Sequence, residues 1–208
     1  SLPFTDFSGG MMGGMMMDGS SLPNGAPLDI LSFKIGERGV DVAPLPSHLS
    51  TIERHHAEDA VNQNNPRSFT LAMQGMIHTI NDRVFEMDSI AQEEIVQLGE
   101  LELWEFFNRG GTGMGMGMMN MKLPHPMHIH GVQFQVIGRQ IARGYKSAYQ
   151  ELSAGFVDDG WKDTVLVTPG EKVQLLVRFE NYVGTYLYHC HNLEHEDAGM
   201  MRNYKIKS

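Results

Sequence analysis

The chain of 208 residues has a formal net charge of −9, and 41% of its residues are hydrophobic. Its basic residues form no cluster longer than a dipeptide, which argues against a nucleic-acid or anionic-membrane partner. No apolar run approaches the ~20 residues that a membrane-spanning helix requires. We therefore expect a globular protein, long enough for one full domain and part of another. Since no basic and apolar leader opens the chain, we expect a mature product or a fragment.

The first 66 residues contain few regular patterns. Residues 1–27 are rich in glycine, methionine, serine and proline, a composition that predicts a loop. Residues 28–35 alternate apolar and polar side chains and predict a strand, followed by a turn at 36–39. Residues 42–66 contain three prolines and predict a linker with a helical turn or two in its middle.

From residue 67 onward, short β-type runs alternate with turns at glycine, asparagine and proline. A strict two-residue period places Leu101 and Leu103 on one face of their strand and Trp104 and Phe106 on the other. A second stretch of methionine and glycine, at 113–121, interrupts the series. Many short strands with few helical periods favour an all-β fold, an antiparallel sandwich or barrel. The predicted strands are Ser68–Gln74, Glu94–Leu98, Leu101–Phe107, His128–Ile137, Thr164–Val167, Lys172–Phe179, Thr185–Cys190 and Met201–Ile206.

Two short clusters hold six of the ten histidines and the only cysteine. One of them begins with His189, Cys190 and His191 at the end of a predicted strand. Because side chains alternate across a strand, Cys190 points to one face and its two neighbours point to the other. His195 and Met200 follow far enough along the chain for a loop or short helix to return them to the side of the cysteine. This strand end can therefore serve two metal sites on opposite faces.

The other cluster, residues 125–131 with the sequence HPMHIHG, divides in the same way. His128 and His130 share a parity, whereas His125 precedes Pro126, which permits a change of direction. One resulting set has the imidazoles, thiolate and thioether of blue-copper electron-transfer centres, and it consists of His125, Cys190, His195 and Met200. The second set is all imidazole, suited to copper that meets oxygen, and it consists of His128, His130, His189 and His191.

A simpler interpretation is that these histidines are solvated loop residues and that Cys190 is a buried apolar side chain. The gathering of so many ligand-type residues at two strand ends, with no other cysteine in the chain, argues against it.

At these residues the sequence resembles the multicopper oxidases, the family of laccases, bilirubin oxidases and bacterial cuprous oxidases. The run HPMHIHG is similar to the family motif HPxHxHG, and HCHNLEHEDAGM at 189–200 is similar to HCHxxxHxxxGM. Residues 160–165 resemble a run common between these motifs. The resemblance implies a cupredoxin-like Greek-key β-sandwich at 67–208. It also implies the C-terminal remnant of a preceding cupredoxin domain at 1–41 and a linker at 42–66.

The resemblance implies a role for each candidate ligand. Type 1 copper would be held by His125, Cys190, His195 and Met200, type 2 copper by His128, and the type 3 pair by His130, His189 and His191. A reducing substrate would lose one electron at a time beside His195. The electrons would pass through Cys190 and its flanking histidines to dioxygen, which is reduced to water. Glu196 is similar to a bacterial position thought to deliver protons to oxygen, and the alternative interpretation is a solvated carboxylate.

The family's trinuclear cluster takes eight histidines, four of them from an N-terminal domain with two HxH motifs. No further HxH occurs in this sequence. We therefore expect the C-terminal part of an enzyme that holds four coppers when complete. It would pair with an N-terminal fragment or chain, be inactive toward oxygen without it, and be periplasmic or secreted. The remaining histidines occupy loop-like or isolated settings and are interpreted as structural: His48, His55, His56 and His78.

The reducing substrate stays open between phenols, bilirubin-type pigments and copper(I). The methionines at 11–17 and 114–121 are interpreted as low-complexity loops or as a thioether surface that recruits copper(I). The alternative functions are a type 1 electron-carrier cupredoxin, a copper-storage protein and a copper nitrite reductase. An electron carrier has no use for histidines on both sides of Cys190. A copper-storage protein does not need the set of two histidines, a cysteine and a methionine. A copper nitrite reductase does not use a His-Cys-His strand.

Overall fold

The computed structural model describes residues 31–37, 39, 43–74, 77–110 and 123–208. The strands of these residues are β1 (Arg67–Gln74), β2 (Ile77–Ile80), β3 (Ile95–Gln97), β4 (Leu101–Asn108), β5 (His125–Ile129), β6 (Phe134–Ile141), β7 (Thr164–Val167), β8 (Glu171–Arg178), β9 (Gly184–Cys190) and β10 (Met201–Lys207). The α-helices are α1 (Lys146–Ser153) and α2 (Leu193–Asp197). Neither of them is long and apolar enough to cross a membrane.

The strands form two sheets of five strands each, which confirms the predicted all-β sandwich. One sheet has the order β2-β1-β4-β8-β6 and the other the order β3-β10-β9-β5-β7. The expectation of purely antiparallel pairing is wrong at two places, because β1 pairs with β4, and β3 with β10, in parallel. The central strands of the second sheet, β9 and β5, are antiparallel and bring the two histidine clusters side by side.

The core lies between the two sheets and is built from alternate side chains of their inner faces. Trp104 and Phe106 of β4 face this core and are fully buried. Leu101 and Leu103 lie on the opposite face in a smaller buried cluster with Ala60. The predicted two-residue period of β4 is therefore confirmed, and both faces of the strand are covered.

The second half of the predicted linker is attached to β4. A 3₁₀ turn at Ala57–Asp59 confirms the predicted helical turn. The side chain of Asn62 then exchanges two hydrogen bonds with the backbone of Leu103, of 3.0 and 2.7 Å, and the Val61 amide donates to the Leu101 carbonyl over 2.9 Å. These contacts cover the outer face of β4. The predicted domain boundaries, at 41/42 and 66/67, stay a prediction.

A buried ion pair fixes the loop before β3 against β10. Glu94 accepts hydrogen bonds from the guanidinium of Arg202 over 2.8 Å at each carboxylate oxygen and from the Tyr188 hydroxyl over 2.9 Å. Arg202 also donates to the Val84 carbonyl over 3.0 Å. Breaking a buried pair of this kind costs about 3–5 kcal/mol, since it leaves an uncompensated charge. The pair therefore anchors the loop that packs beside Gly199, next to the histidine cluster that begins at His189.

The single strand predicted at His128–Ile137 is wrong, because a turn divides it into β5 and β6. Gly131 takes a φ of +76°, a conformation that favours glycine. A Cβ at this position would lie 2.8 Å from the ring of Tyr186. The tight turn holds His130 at the end of β5, where its amide donates to the Leu187 carbonyl over 2.9 Å.

Other differences concern segments without a clear hydrophobic period. Residues 31–35, the described part of the strand predicted at 28–35, belong to no strand. The sequence does not predict β2, which has four residues, or α1, which buries none of its side chains. The predicted loop at 1–27, part of the predicted turn at 36–39, and the methionine-glycine stretch at 113–121 lie outside the described residues.

Candidate metal centres

Backbone hydrogen bonds between β5, β9 and α2 assemble the first group of candidate ligands. Met127 of β5 is the register partner of Cys190, the last residue of β9. The His191 amide donates to the Pro126 carbonyl over 2.7 Å, which fixes the end of β9 against β5. The short helix α2 then returns the chain toward Cys190, whose amide donates to the Met200 carbonyl over 3.0 Å.

Three ligand atoms of this group converge in the protein interior. The Nδ1 atoms of His125 and His195 are 3.1 Å apart, and each lies 3.5 Å from the sulfur of Cys190. A point equidistant from the three atoms lies about 2 Å from each, which matches the bond lengths of about 2.0–2.3 Å that imidazole and thiolate make to zinc. The arrangement therefore fits a metal ion of similar size, and its donor set is that of blue copper.

Met200 is the remaining residue of the predicted first set. It is fully buried, and its amide donates to the His195 carbonyl over 2.8 Å. A second backbone bond, from Cys190 to the Met200 carbonyl, fixes its position relative to the thiol. Met200 thus belongs to the same buried turn as His195.

Burial sets the protonation of the first group without metal. It lowers the pKa of His125 to about 3, with a further contribution from the neighbouring His195. It also lowers the pKa of His195 to about 4 and raises the pKa of the Cys190 thiol to about 12. Both imidazoles are therefore neutral and ready to bind a metal at neutral pH. The thiol must release a proton when it becomes a metal ligand.

The second group lies on the other side of β9. Ligand atoms of His128, His130 and His189 all lie within 4.8 Å of one another, and the Nε2 atoms of His130 and His189 are 3.0 Å apart. His191 is exposed, and its ring centroid lies 5.3 Å from that of His189 and 5.6 Å from that of His128. The structure thus brings Cys190 to one group and its neighbour His189 to the other.

Hydrogen bonds select the nitrogen that each imidazole offers in the second group. Nδ1 of His128 lies 2.8 Å from the Asp163 carbonyl and 3.1 Å from the Thr164 hydroxyl. Nδ1 of His189 lies 3.1 Å from the Cys190 carbonyl. A carbonyl can only accept, so Nδ1 carries the proton and Nε2 keeps a lone pair for a metal.

Glu196 follows His195 in α2 but faces the second group. Its carboxylate lies 3.4 Å from Nδ1 of His189 and is partly exposed. The negative charge raises the pKa of His130, although burial and the neighbouring imidazoles lower it overall. The described structure therefore places this predicted proton donor beside the second group.

His78, which the sequence analysis interprets as structural, lies beside the first group. It lies in β2, and its ring stacks on that of His195 with centroids 3.9 Å apart and an interplanar angle of 22°. No motif or spacing in the sequence points to this contact, since β2 comes from a distant segment. His48 and His56 are exposed, and His55 packs against Trp161 with centroids 5.2 Å apart.

Comparisons with known proteins agree with this geometry. Residues 53–208 match the family model for multicopper oxidases. The chain is 34% identical over 200 residues to a laccase of Haloferax volcanii, covering 90% of this chain and 31% of the laccase. It is 33% identical over 192 residues to a laccase of Bacillus stratosphericus, covering 84% and 34% of the two chains. The chain therefore spans about a third of the length of these curated relatives.

The fold has solved counterparts. The McoA multicopper oxidase of Aquifex aeolicus aligns with a TM-score of 0.58 and 31% identity, covering 78% of this chain and 33% of that one. This likeness confirms the predicted cupredoxin-like sandwich.

Proposed function

Since this chain belongs to the multicopper oxidase family, we propose that it is the part of a copper oxidase that receives electrons and passes them toward dioxygen. The electrons would come one at a time from a reducing substrate, and four of them would reduce dioxygen to water. The observation that carries the proposal is the division of neighbours at the end of β9. Cys190 belongs to the buried group with His125 and His195, and His189 belongs to an imidazole group on the other face.

The chemistry of each group follows from its donor atoms. Bound copper would supply a one-electron redox couple at the first group and the capacity to reduce dioxygen at the second. His125, Cys190, His195 and Met200 would hold type 1 copper. His128 would hold type 2 copper, and His130, His189 and His191 would contribute to the type 3 pair. Thiolate and thioether stabilise copper(I) while imidazoles tolerate copper(II), so the first group suits rapid exchange of one electron.

The chain itself connects the two groups. Cys190 and its sequence neighbours His189 and His191 are joined by single peptide bonds, which gives the electron a short covalent route. The hydrogen bond between Nδ1 of His189 and the Cys190 carbonyl, at 3.1 Å, adds a second connection over the same step. His195 is the proposed residue of electron entry, because the histidine at the matching place of the family motif lies nearest the substrate. Glu196 is the proposed proton donor at the second group.

The openness of the second group supports the proposal of an N-terminal partner. His191 is exposed, and His128 borders an open cleft of about 530 Å³ that also contains Trp161, Asp163 and Arg178. An exposed imidazole group needs further ligands to hold several coppers. We therefore propose that an N-terminal fragment or chain of the same oxidase covers this face. Residues 1–41 would be the C-terminal remnant of a preceding cupredoxin domain, and residues 42–66 the linker between that domain and the cupredoxin-like sandwich at 67–208.

The reducing substrate is proposed as a phenol-like compound or copper(I). Both deliver single electrons, which is the capacity of the first group. The similarity to two laccases agrees with the phenol-type donor that the resemblance to laccases implies. The methionine-rich stretches supply the thioethers that favour copper(I) as the alternative.

Copper loading of the full-length protein tests the proposal. We expect an intense blue absorption, four coppers by metal analysis, EPR signals from the type 1 and type 2 coppers alone, and oxygen consumption with a phenolic donor. Cys190→Ser should abolish the blue band, whereas His130→Ala should keep it and abolish oxygen consumption. Blue colour without oxygen consumption would favour an electron carrier, and colourless copper binding would favour storage.

A further inference from the structure

His78 occupies a position between the first ligand group and the protein surface. It belongs to β2, the edge strand of its sheet, and its neighbour Ile77 is half exposed and lines an outer cleft of about 560 Å³. The His78 side chain itself is only 8% exposed, because its ring lies against the ring of His195. It also lies 6.3 Å from the ring centroid of His125 in an edge-to-face arrangement.

The stack on His195 is the closest ring contact that His78 makes among the described residues. Its Nδ1 is buried without a hydrogen-bond partner among the described residues. Leaving a buried polar atom unpaired costs about 1–3 kcal/mol. A group that bears such a cost without a structural hydrogen bond calls for a functional explanation. The observed contact that could supply it is the near-parallel stack on His195, with centroids 3.9 Å apart.

We propose that His78 is a positioning residue of the type 1 copper centre, whose ring fixes the orientation of His195 and shields one face of it from water. The inference rests on the proposed function, since it concerns the metal that the first group would hold. His195 is 6% exposed, and its Nδ1 faces His125 and Cys190, while the His78 ring stacks on the face of its imidazole.

The direction of the effect follows from solvation. The oxidised centre carries one more positive charge than the reduced centre, and water stabilises the more highly charged form. A ring that excludes water therefore favours copper(I) and raises the reduction potential. A stacked ring also restricts rotation of the His195 imidazole, which keeps the lone pair of Nδ1 directed at the metal.

Two substitutions separate the ring from its nitrogens. His78→Val removes the ring but keeps a β-branched residue suited to a strand. His78→Phe keeps a flat ring of similar size without nitrogen atoms. His56→Ala is the matched control, because His56 is exposed and lies in a separate part of the chain. The measurements are the reduction potential of the blue centre by redox titration, its EPR spectrum, and the melting temperature of the copper-free protein, all in the full-length protein.

We expect His78→Val to shift the copper(II)/copper(I) equilibrium about tenfold toward copper(II), which is about 59 mV for a one-electron couple. Its EPR signal should broaden as the His195 ring gains freedom. We expect His78→Phe to keep a potential equal to or above that of the unchanged protein, and His56→Ala to change neither quantity.

An unchanged potential and EPR spectrum in folded His78→Val would overturn the inference. A reduction potential that falls as far in His78→Phe as in His78→Val would also overturn it, because the nitrogen atoms of His78 rather than its ring would then set the potential. These outcomes are distinct from failure of the proposed function, in which the unchanged protein itself forms no blue centre.

Discussion

The two candidate metal groups share the end of β9 but differ in how completely the chain encloses them. The first is closed: Cys190 and Met200 are fully buried, and His125 and His195 are 5% and 6% exposed. The second is open, with His191 exposed and His128 beside a cleft. A site enclosed by one chain has its geometry set by that chain, whereas an open site depends on what covers it. The proposed function accordingly gives electron entry to the enclosed group and oxygen chemistry to the open group.

The largest expected effect is a loss of stability of the copper-free protein in acid, and it tests whether the first group is closed without metal. The pKa values of His125 and His195 are lowered to about 3 and about 4, while both groups have ordinary values of about 6.5 when the chain is unfolded. The unfolded state therefore binds more protons below pH 6.5, and stability is lost as the pH falls from there toward 4. We expect a loss of about 4 kcal/mol between pH 7 and pH 5, from two groups that each contribute up to about 1.4 kcal/mol per pH unit.

Denaturant unfolding of the copper-free protein at pH 7 and pH 5 measures this loss. The double variant His125→Phe, His195→Phe should remove most of the difference, because neither aromatic ring binds a proton. His191→Ala is the control in the open group, and we expect it to keep the difference in unfolding free energy between pH 7 and pH 5. Equal acid sensitivity in the double variant and the unchanged chain would contradict the comparison.

Glu196 sharpens the comparison because it is adjacent to one group in sequence and to the other in space. It directly follows His195, yet its carboxylate lies 3.4 Å from Nδ1 of His189. If it delivers protons at the open group, Glu196→Gln should slow oxygen consumption by about a hundredfold, the lower end of the range for general acid–base catalysis. The neutral amide keeps the shape of the side chain, so the blue absorption of the closed group should stay unchanged.

Oxygen uptake and the visible spectrum of the copper-loaded full-length protein measure the two effects together. Glu194→Gln is the matched control, since Glu194 belongs to the same helix and is exposed. An oxygen rate in Glu196→Gln equal to that of the control would leave Glu196 as a solvated carboxylate. A loss of the blue band would instead place its influence on the closed group.

The sequence predicts the closed group more completely than its surroundings. Strand alternation at 189–191 predicts that Cys190 and His189 serve different groups, because this rule is local to one strand. The turn at Gly131 is harder to predict from the sequence, since it depends on the approach of Tyr186 from another strand. The stack of His78 on His195 is not predictable at all, because residues 117 positions apart meet only after the two sheets have packed.

Thr164 tests the smallest effect, a single hydrogen bond behind the open group. Its hydroxyl lies 3.1 Å from Nδ1 of His128, which also bonds the Asp163 carbonyl over 2.8 Å. Thr164→Val removes one of these two acceptors and keeps the shape of the side chain. Loss of an outer hydrogen bond to a ligand costs about 10–100-fold in metal affinity. We expect about tenfold, because the carbonyl remains.

A Cys190→Ser background isolates the open group, so copper titration of the full-length protein then reports on its imidazoles. Thr164→Ser is the control, because it keeps the hydroxyl and should keep the affinity. If Thr164→Val binds copper as tightly as Thr164→Ser, the carbonyl of Asp163 alone orients His128. The orientation of His128 would then depend on the backbone just before β7, at the Asp163 carbonyl.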